Sequence, residues 1–184
     1  MTVDVLRMDP KTMVLIHPAP NAASHAVDNP IEPLAPLNSW PIQFTDPEVG
    51  FAWYLSPGIL VTQATTAHAS GRVAVVLSDW VDLVRERHHE ELSRCGGMLG
   101  IHDWRRFRSY ASEARRTWMQ RIQRRPKGYL RKGVIIIADS PLIKMAVAGA
   151  NMVVTLASRG DSQFEIATSA TQVLREYNLR PPLA

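Results

Sequence analysis

From residue 51 onward, short apolar runs alternate with longer segments whose apolar positions recur every three to four residues. FAWYL (51–55) and GILVTQAT (58–65) read as two short strands divided by a Ser56-Pro57-Gly58 turn. GRVAVVLSDWVDLVRERHHEELSR (71–94) reads as a helix. Its Val73, Val76, Leu77, Trp80, Val84 and His88 share one face, and Cys95-Gly96-Gly97 follow its end. The VAVVL start is also compatible with a strand. MLGIHD (98–103) is a strand, and a helix is expected from about Tyr110 to Arg125, with Ala111, Ala114, Trp118 and Ile122 on its inner face. Pro126 and Gly128 end that helix. GVIIIAD (133–139) is too apolar and too short for anything but a buried strand.

Ser140-Pro141 offers an N-cap and a first-turn proline to the helix PLIKMAVAGANMVVTLASR, which Gly160 stops. FEIAT (164–168) is a last strand. Ser169 and Gln172 have capping-box spacing ahead of a final helix marked by Ala170, Val173, Leu174 and Tyr177. The order β-β-α-β-α-β-α-β-α predicts an α/β domain at 51–180, with a mixed, largely parallel sheet of about five strands and four helices.

Residues 1–50 break this regularity. They hold eight of the thirteen prolines, which exclude a long helix or a central strand. Only Thr12 to Ile16 looks strand-like. The segment reads as an extended proline-rich arm. Its Leu34, Leu37, Trp40, Ile42 and Phe44 favour packing on the domain or on another subunit, with a flexible linker as the alternative.

Composition adds little beyond class. At 46% hydrophobic and 21% charged, the chain is an ordinary globular one. The single cysteine, Cys95, excludes an intrachain disulfide and most structural zinc sites, and suits a reducing compartment. No apolar run approaches a membrane span, and the N-terminus lacks a secretory pattern, so a cytoplasmic location is expected.

Charge changes the picture more. The net +4 conceals −4 in residues 1–50 and +8 in the remainder. Residues 105–132 carry eleven Arg or Lys against one acid, Glu113. On the helical wheel Arg116, Thr117, Gln120, Gln123 and Arg124 lie opposite the Trp118 and Ile122 stripe, while Arg115 and Arg125 are expected to snorkel outward from its margins.

The strand ending in His102-Asp103, the order of elements, and the tail GVIIIADSPLIKMAVAGANMVVTLASRGDSQFEIATSATQVLREY resemble the STAS superfamily. That superfamily includes anti-sigma-factor antagonists and the related SpoIIAA-like and Sec14-like domains. The likeness covers about 51–180 and rests on pattern more than on single residues. It implies a non-enzymatic regulatory module that docks onto a partner protein, with the loop after Asp103 and the following helix as the contact face. In phosphorylation-switched members a Ser or Thr directly follows that aspartate. Here Trp104-Arg105-Arg106 follows, and the nearest hydroxyl is Ser109, where a phosphate would sit among Arg105, Arg106 and Arg108.

The expected partner-binding residues are therefore Asp103, Arg105, Arg106, Arg108, Ser109, Arg116 and Arg124. An acidic protein is the first reading of the partner. The plain alternative is a solvated face neutralised by the acidic arm or by Glu90 and Glu91. Nucleic acid is a rival, because Phe107, Tyr110, Trp118 and Tyr129 interleave with the charges as stacking residues would; an anionic membrane surface is another.

Residues 142–158 pose a separate question, since their apolar sector spans roughly 220° where about 100° covers a sheet. Core packing explains it most simply. The arm, a second copy in a homo-oligomer, or a lipid-like ligand are the other candidates for the surplus.

Catalytic constellations are thin, and neither a cofactor nor a metal is expected. Adjacent histidines in His88-His89-Glu90-Glu91 diverge by about 100° on a helix and lack the HExxH spacing. His102 and Asp103 are neighbours on a strand and point to opposite faces. Cys95 has no base beside it in sequence, and no Gly-rich phosphate loop or nucleophile elbow is present.

Overall fold

Side-chain alternation along the strands sorts the chain into one sheet with two covered faces. The computed structural model describes residues 44–138 and 164–179. Among them the elements run β1 (Phe44–Asp46), β2 (Gly50–Leu55), β3 (Ile59–Ala64), β4 (His68–Ala69), α1 (Gly71–Arg87), α2 (His89–Arg94), β5 (Met98–Asp103), β6 (Ser109–Tyr110), α3 (Ser112–Arg124), β7 (Leu130–Ile136), β8 (Phe164–Ala167) and α4 (Ala170–Glu176). The main sheet has the order β1-β2-β3-β5-β7-β8. Its first three strands are antiparallel, and β3, β5, β7 and β8 are parallel. The fold is thus α/β with a mixed sheet, of six strands where about five were expected.

The extra strand lies in the segment assigned to the arm. β1 pairs Phe44 with Ala52 and Asp46 with Gly50, and Phe44 stacks on Trp80 of α1 with ring centroids 6.3 Å apart. Among the described residues the sheet thus includes Phe44–Asp46, ahead of the expected boundary at 51. The arm upstream of Phe44 and the expected helix at 141–159 lie outside the described residues.

One sheet face presents Ala52, Tyr54, Leu60, Ala64, Met98 and Leu130. It packs on Val73, Leu77, Trp80 and Val84 of α1 and on Ala114 of α3. The other face presents Trp53, Val61, Leu99, Ile101, Val134 and Ile136 to Val173 and Leu174 of α4. Strands β3, β5 and the 133–136 part of β7 are covered on both faces, which suits their short apolar stretches such as ILV and GVII. Each fully buried Leu, Ile or Val in these layers contributes about 1.5–3 kcal/mol. Two glycines are needed for close approach. A Cβ on Gly133 would run into the Phe164 ring of β8, and one on Gly50, at φ +144°, would run into the Gln63 carbonyl oxygen.

The VAVVL segment is helical. Ser70 caps α1 by accepting from the Val73 N–H at 3.3 Å, and the apolar stripe faces the sheet as the spacing predicts. The helix expected to continue to Arg94 breaks at His88, whose backbone leaves the helical region at φ −118°. His88 stacks on Tyr54 with centroids 3.9 Å apart, and the Ser56 hydroxyl donates to the Glu91 carboxylate at 2.6 Å. These contacts tie the β2–β3 turn to the break. They also hold Glu91 below its usual range, the Ser56 hydrogen bond being the largest cause, while burial beside that carboxylate pushes Tyr54 up to about 12.

Candidate partner-binding face

Parallel strands β3, β5 and β7 end at one edge of the sheet, where α/β proteins commonly place their contacts. The 104–111 segment leaves β5 at that edge. Its first charged residues turn inward. Arg105 donates from Nε to Asp103 Oδ1 and from Nη2 to Oδ2, both at 2.9 Å, and its backbone N–H adds a third bond to Oδ1 at 3.2 Å. Gln63 of β3 donates to Oδ2 at 3.2 Å. Asp103 is 2% exposed and Arg105 7% exposed. The planar guanidinium matches the carboxylate fork, so the pair closes on itself in the low-dielectric interior. Asp103 and Arg105 were both expected on the contact face; the structure buries them at the root of the loop, where their pairing makes the burial tolerable.

The rest of the loop is pinned by apolar side chains. Phe107 is buried, and Trp104 stacks on Trp118 of α3 at 4.8 Å and lies 5.8 Å from Phe107. The Trp104 backbone N–H donates to the Ile136 carbonyl at 2.8 Å, joining the loop to β7. A small parallel pair, β4 with β6, holds the far end of the loop against the segment leading into α1. Two-residue strands leave no hydrophobic period, so sequence reading had no signal for them.

Between these anchors Arg106, Arg108 and Ser109 are exposed. The Arg108 Nη1 donates to the Arg105 carbonyl at 3.0 Å, and Ser109 Oγ shares a hydrogen bond with His68 Nδ1 at 2.8 Å. Of the three arginines expected around Ser109, Arg105 is committed to Asp103, and Arg106 and Arg108 stay in solvent.

The helix α3 divides its own charges. Arg121 pairs with Asp79 at 2.9 Å and Asp82 at 3.3 Å. Arg125, just past the helix end, donates from Nε to Asp82 at 2.9 Å and from Nη2 to the Ser78 carbonyl at 3.1 Å, and lies over the Tyr129 ring. Arg125 was expected to snorkel outward; it turns onto α1 because a carboxylate and a carbonyl await it there. Among the described residues the neutralising acids are Asp79, Asp82 and Asp103 rather than Glu90 and Glu91, and the acids of the arm upstream of Phe44 lie outside those residues. Helical spacing shows that Asp79 and Asp82 share a side of α1, but not that α3 packs beside it.

On the outer side, Ser112, Arg116, Gln120 and Arg124 are all exposed and form one i, i+4 row. Among the described residues no carboxylate pairs with Arg106, Arg108, Arg116 or Arg124. Phe107 and Trp118, offered by the sequence as stacking residues, belong to the core or to its margin.

His102 occupies the side of β5 covered by α1 and α3. Its Nδ1 shares a hydrogen bond with the fully buried Thr62 hydroxyl at 2.9 Å, and its ring sits against Gly100 and 6.1 Å from Trp104. Loss of hydration, and secondarily the Arg125 charge, push it down to about 4. It therefore stays neutral near pH 7. Thr62 and Gln63 are successive residues of β3 and face opposite ways, so His102 and Asp103 do too.

Among the described residues, no helix is long and apolar enough to cross a membrane. Comparison of the chain with family models, with curated proteins and with solved structures finds no match.

Proposed function

We propose that this chain is a non-enzymatic docking module that recognises an acidic partner protein through Arg106, Arg108, Arg116 and Arg124. The observation that carries the reading is the sorting of the basic stretch. Arg105, Arg121 and Arg125 are consumed by internal carboxylates, and the four named guanidiniums are exposed with no carboxylate partner among the described residues. Like charges held outward on a packed frame repel one another, a cost that an acidic surface removes on contact. The frame is preorganised, since the loop is pinned by Asp103 and Phe107 and α3 is clamped to α1, so little ordering entropy is lost on binding. The element order and the SpoIIAA-like tail support the same reading, as a regulatory module of STAS type. An acidic protein is favoured over single-stranded nucleic acid because Phe107 and Trp118 are engaged in the fold and cannot serve as base-stacking platforms.

Affinity purification at physiological salt tests the proposal, comparing the natural sequence with a quadruple variant carrying Arg106→Glu, Arg108→Glu, Arg116→Glu and Arg124→Glu. Partner recovery is expected to fall by on the order of tenfold or more, and recovery by the natural chain to fall steeply with added salt. Unchanged recovery of every partner would remove this face from function. Capture of nucleic acid or anionic vesicles in place of a protein would assign the face to a different ligand class.

A further inference from the structure

The row along the outer side of α3 carries more than positive charge. Ser112, Arg116, Gln120 and Arg124 follow one another at four-residue steps, giving hydroxyl, cation, amide, cation, all exposed. Successive members of such a row are about 6 Å apart, and Arg116 and Arg124 lie about 12 Å apart along the helix axis. The neutral amide of Gln120 sits midway. A ligand with charge at every step would meet that amide where it needs a cation. A ligand with charge at every second step would find a hydrogen-bonding group in the gap.

An extended peptide has this spacing. Its side chains alternate faces at about 3.3 Å per residue, so positions i, i+2 and i+4 on one face repeat at about 6.6 Å and span about 13 Å. A folded amphipathic helix would need apolar anchors along its seat. Among the described residues Val75, on α1, is the exposed large apolar side chain, and α3 offers none. The contact is therefore polar throughout, which suits a charged, extended segment that gains its binding from ion pairs and hydrogen bonds.

We infer that the partner's docking element is an extended acidic segment with carboxylates at i and i+4 and a polar side chain at i+2, read by Arg116, Gln120 and Arg124. The inference rests on the docking reading above and narrows it. Arg116 and Arg124 each take a carboxylate, and the Gln120 amide, donor and acceptor at once, selects the middle residue. Gln120 is thus a specificity-determining position rather than a source of affinity.

Short synthetic peptides of equal length and charge test this by titration at low salt. One carries Glu-Ala-Asn-Ala-Glu, a second places its two glutamates side by side, and a third replaces the central Asn by Ala. The spaced peptide is expected to bind about fivefold more tightly than either alternative. Gln120→Ala is expected to equalise the Asn and Ala peptides while keeping the preference for spaced over adjacent glutamates. Equal binding of the spaced and adjacent peptides, lost in Arg116→Glu/Arg124→Glu, overturns the spacing and leaves the docking reading standing. Binding of none of them, while the natural partner is still recovered through Arg116 and Arg124, also overturns it. Tighter binding by a helix-locked acidic peptide replaces the extended segment with a helix. If neither peptides nor any partner depend on these arginines, both readings fall.

Discussion

Asp103→Ala is expected to destabilise the domain by about 3–5 kcal/mol in chemical denaturation, because it leaves the Arg105 guanidinium buried with no counter-charge. The loss exceeds the worth of the ion pair itself. In the natural chain most of the Coulomb attraction is offset by desolvation of both groups, whereas in the variant the desolvation remains and the attraction is gone. The double replacement Asp103→Leu/Arg105→Met separates these terms. It removes both charges and is expected to recover much of the loss, remaining about 1–3 kcal/mol below the natural chain because the Arg105 backbone N–H and the Gln63 amide lose their acceptor. The contrast has a functional readout. If Arg105 only frames the loop, the double variant still presents Arg106 and Arg108 and still recovers the partner. A single variant that loses less than about 1 kcal/mol, or a double variant that folds normally but recovers no partner, would return Arg105 to the contact face.

Lowering the pH from 7 to 4 is expected to remove up to about 3 kcal/mol of stability through His102 alone. The sign follows from the direction of the shift. Burial holds the folded-state value at about 4 against an ordinary 6.5, so as the pH falls the unfolded chain takes up its proton first. The contribution is complete above pH 6.5, declines through the interval between the two values, and is gone near pH 4. Partial contact of the residue with solvent makes the figure an upper bound. Glu91 and Asp46 are shifted down from 4.5 and 3.8, so their stabilisation is lost only as the pH falls through the acid end of the interval and below. The range between about 6.5 and 5 therefore reports the histidine. His102→Gln can keep a hydrogen bond to Thr62 without titrating, and its stability should be nearly level across that range in urea melts taken at successive pH values. A natural chain equally level there, or a Gln variant that tracks its decline, would show that His102 is hydrated and that the sheet side of α3 is open to water.

These two experiments probe one construction from opposite sides of the sheet. Asp103 and Gln63 fix the root of the loop on one face. Thr62, His102 and Trp104 support α3 on the other. A pinned root and a seated helix keep Arg106, Arg108, Arg116 and Arg124 in a constant arrangement, as the proposed docking reading requires.

Much of this could be read from residue order, because it depends on short-range rules. The short apolar runs FAWYL and MLGIHD, the helical spacing of Val73 to Val84, and the Ser169 cap act within a few residues, and β2, β5, the start of α1 and α4 appear where those rules place them. The inward stripe Ala114-Trp118-Ile122 and the outward row through Arg116 and Arg124 follow from the same periodicity. Tertiary packing decided which charges remain available. Arg105 differs from Arg106 by one position, yet one is buried on Asp103 and the other is in solvent. Arg121 and Arg124 share a helix, yet only Arg121 reaches Asp79 and Asp82, some forty residues away. Periodicity orients a side chain relative to its own element, whereas neutralisation depends on which element packs alongside, and that is set by the pairing of β3, β5 and β7 in the folded sheet.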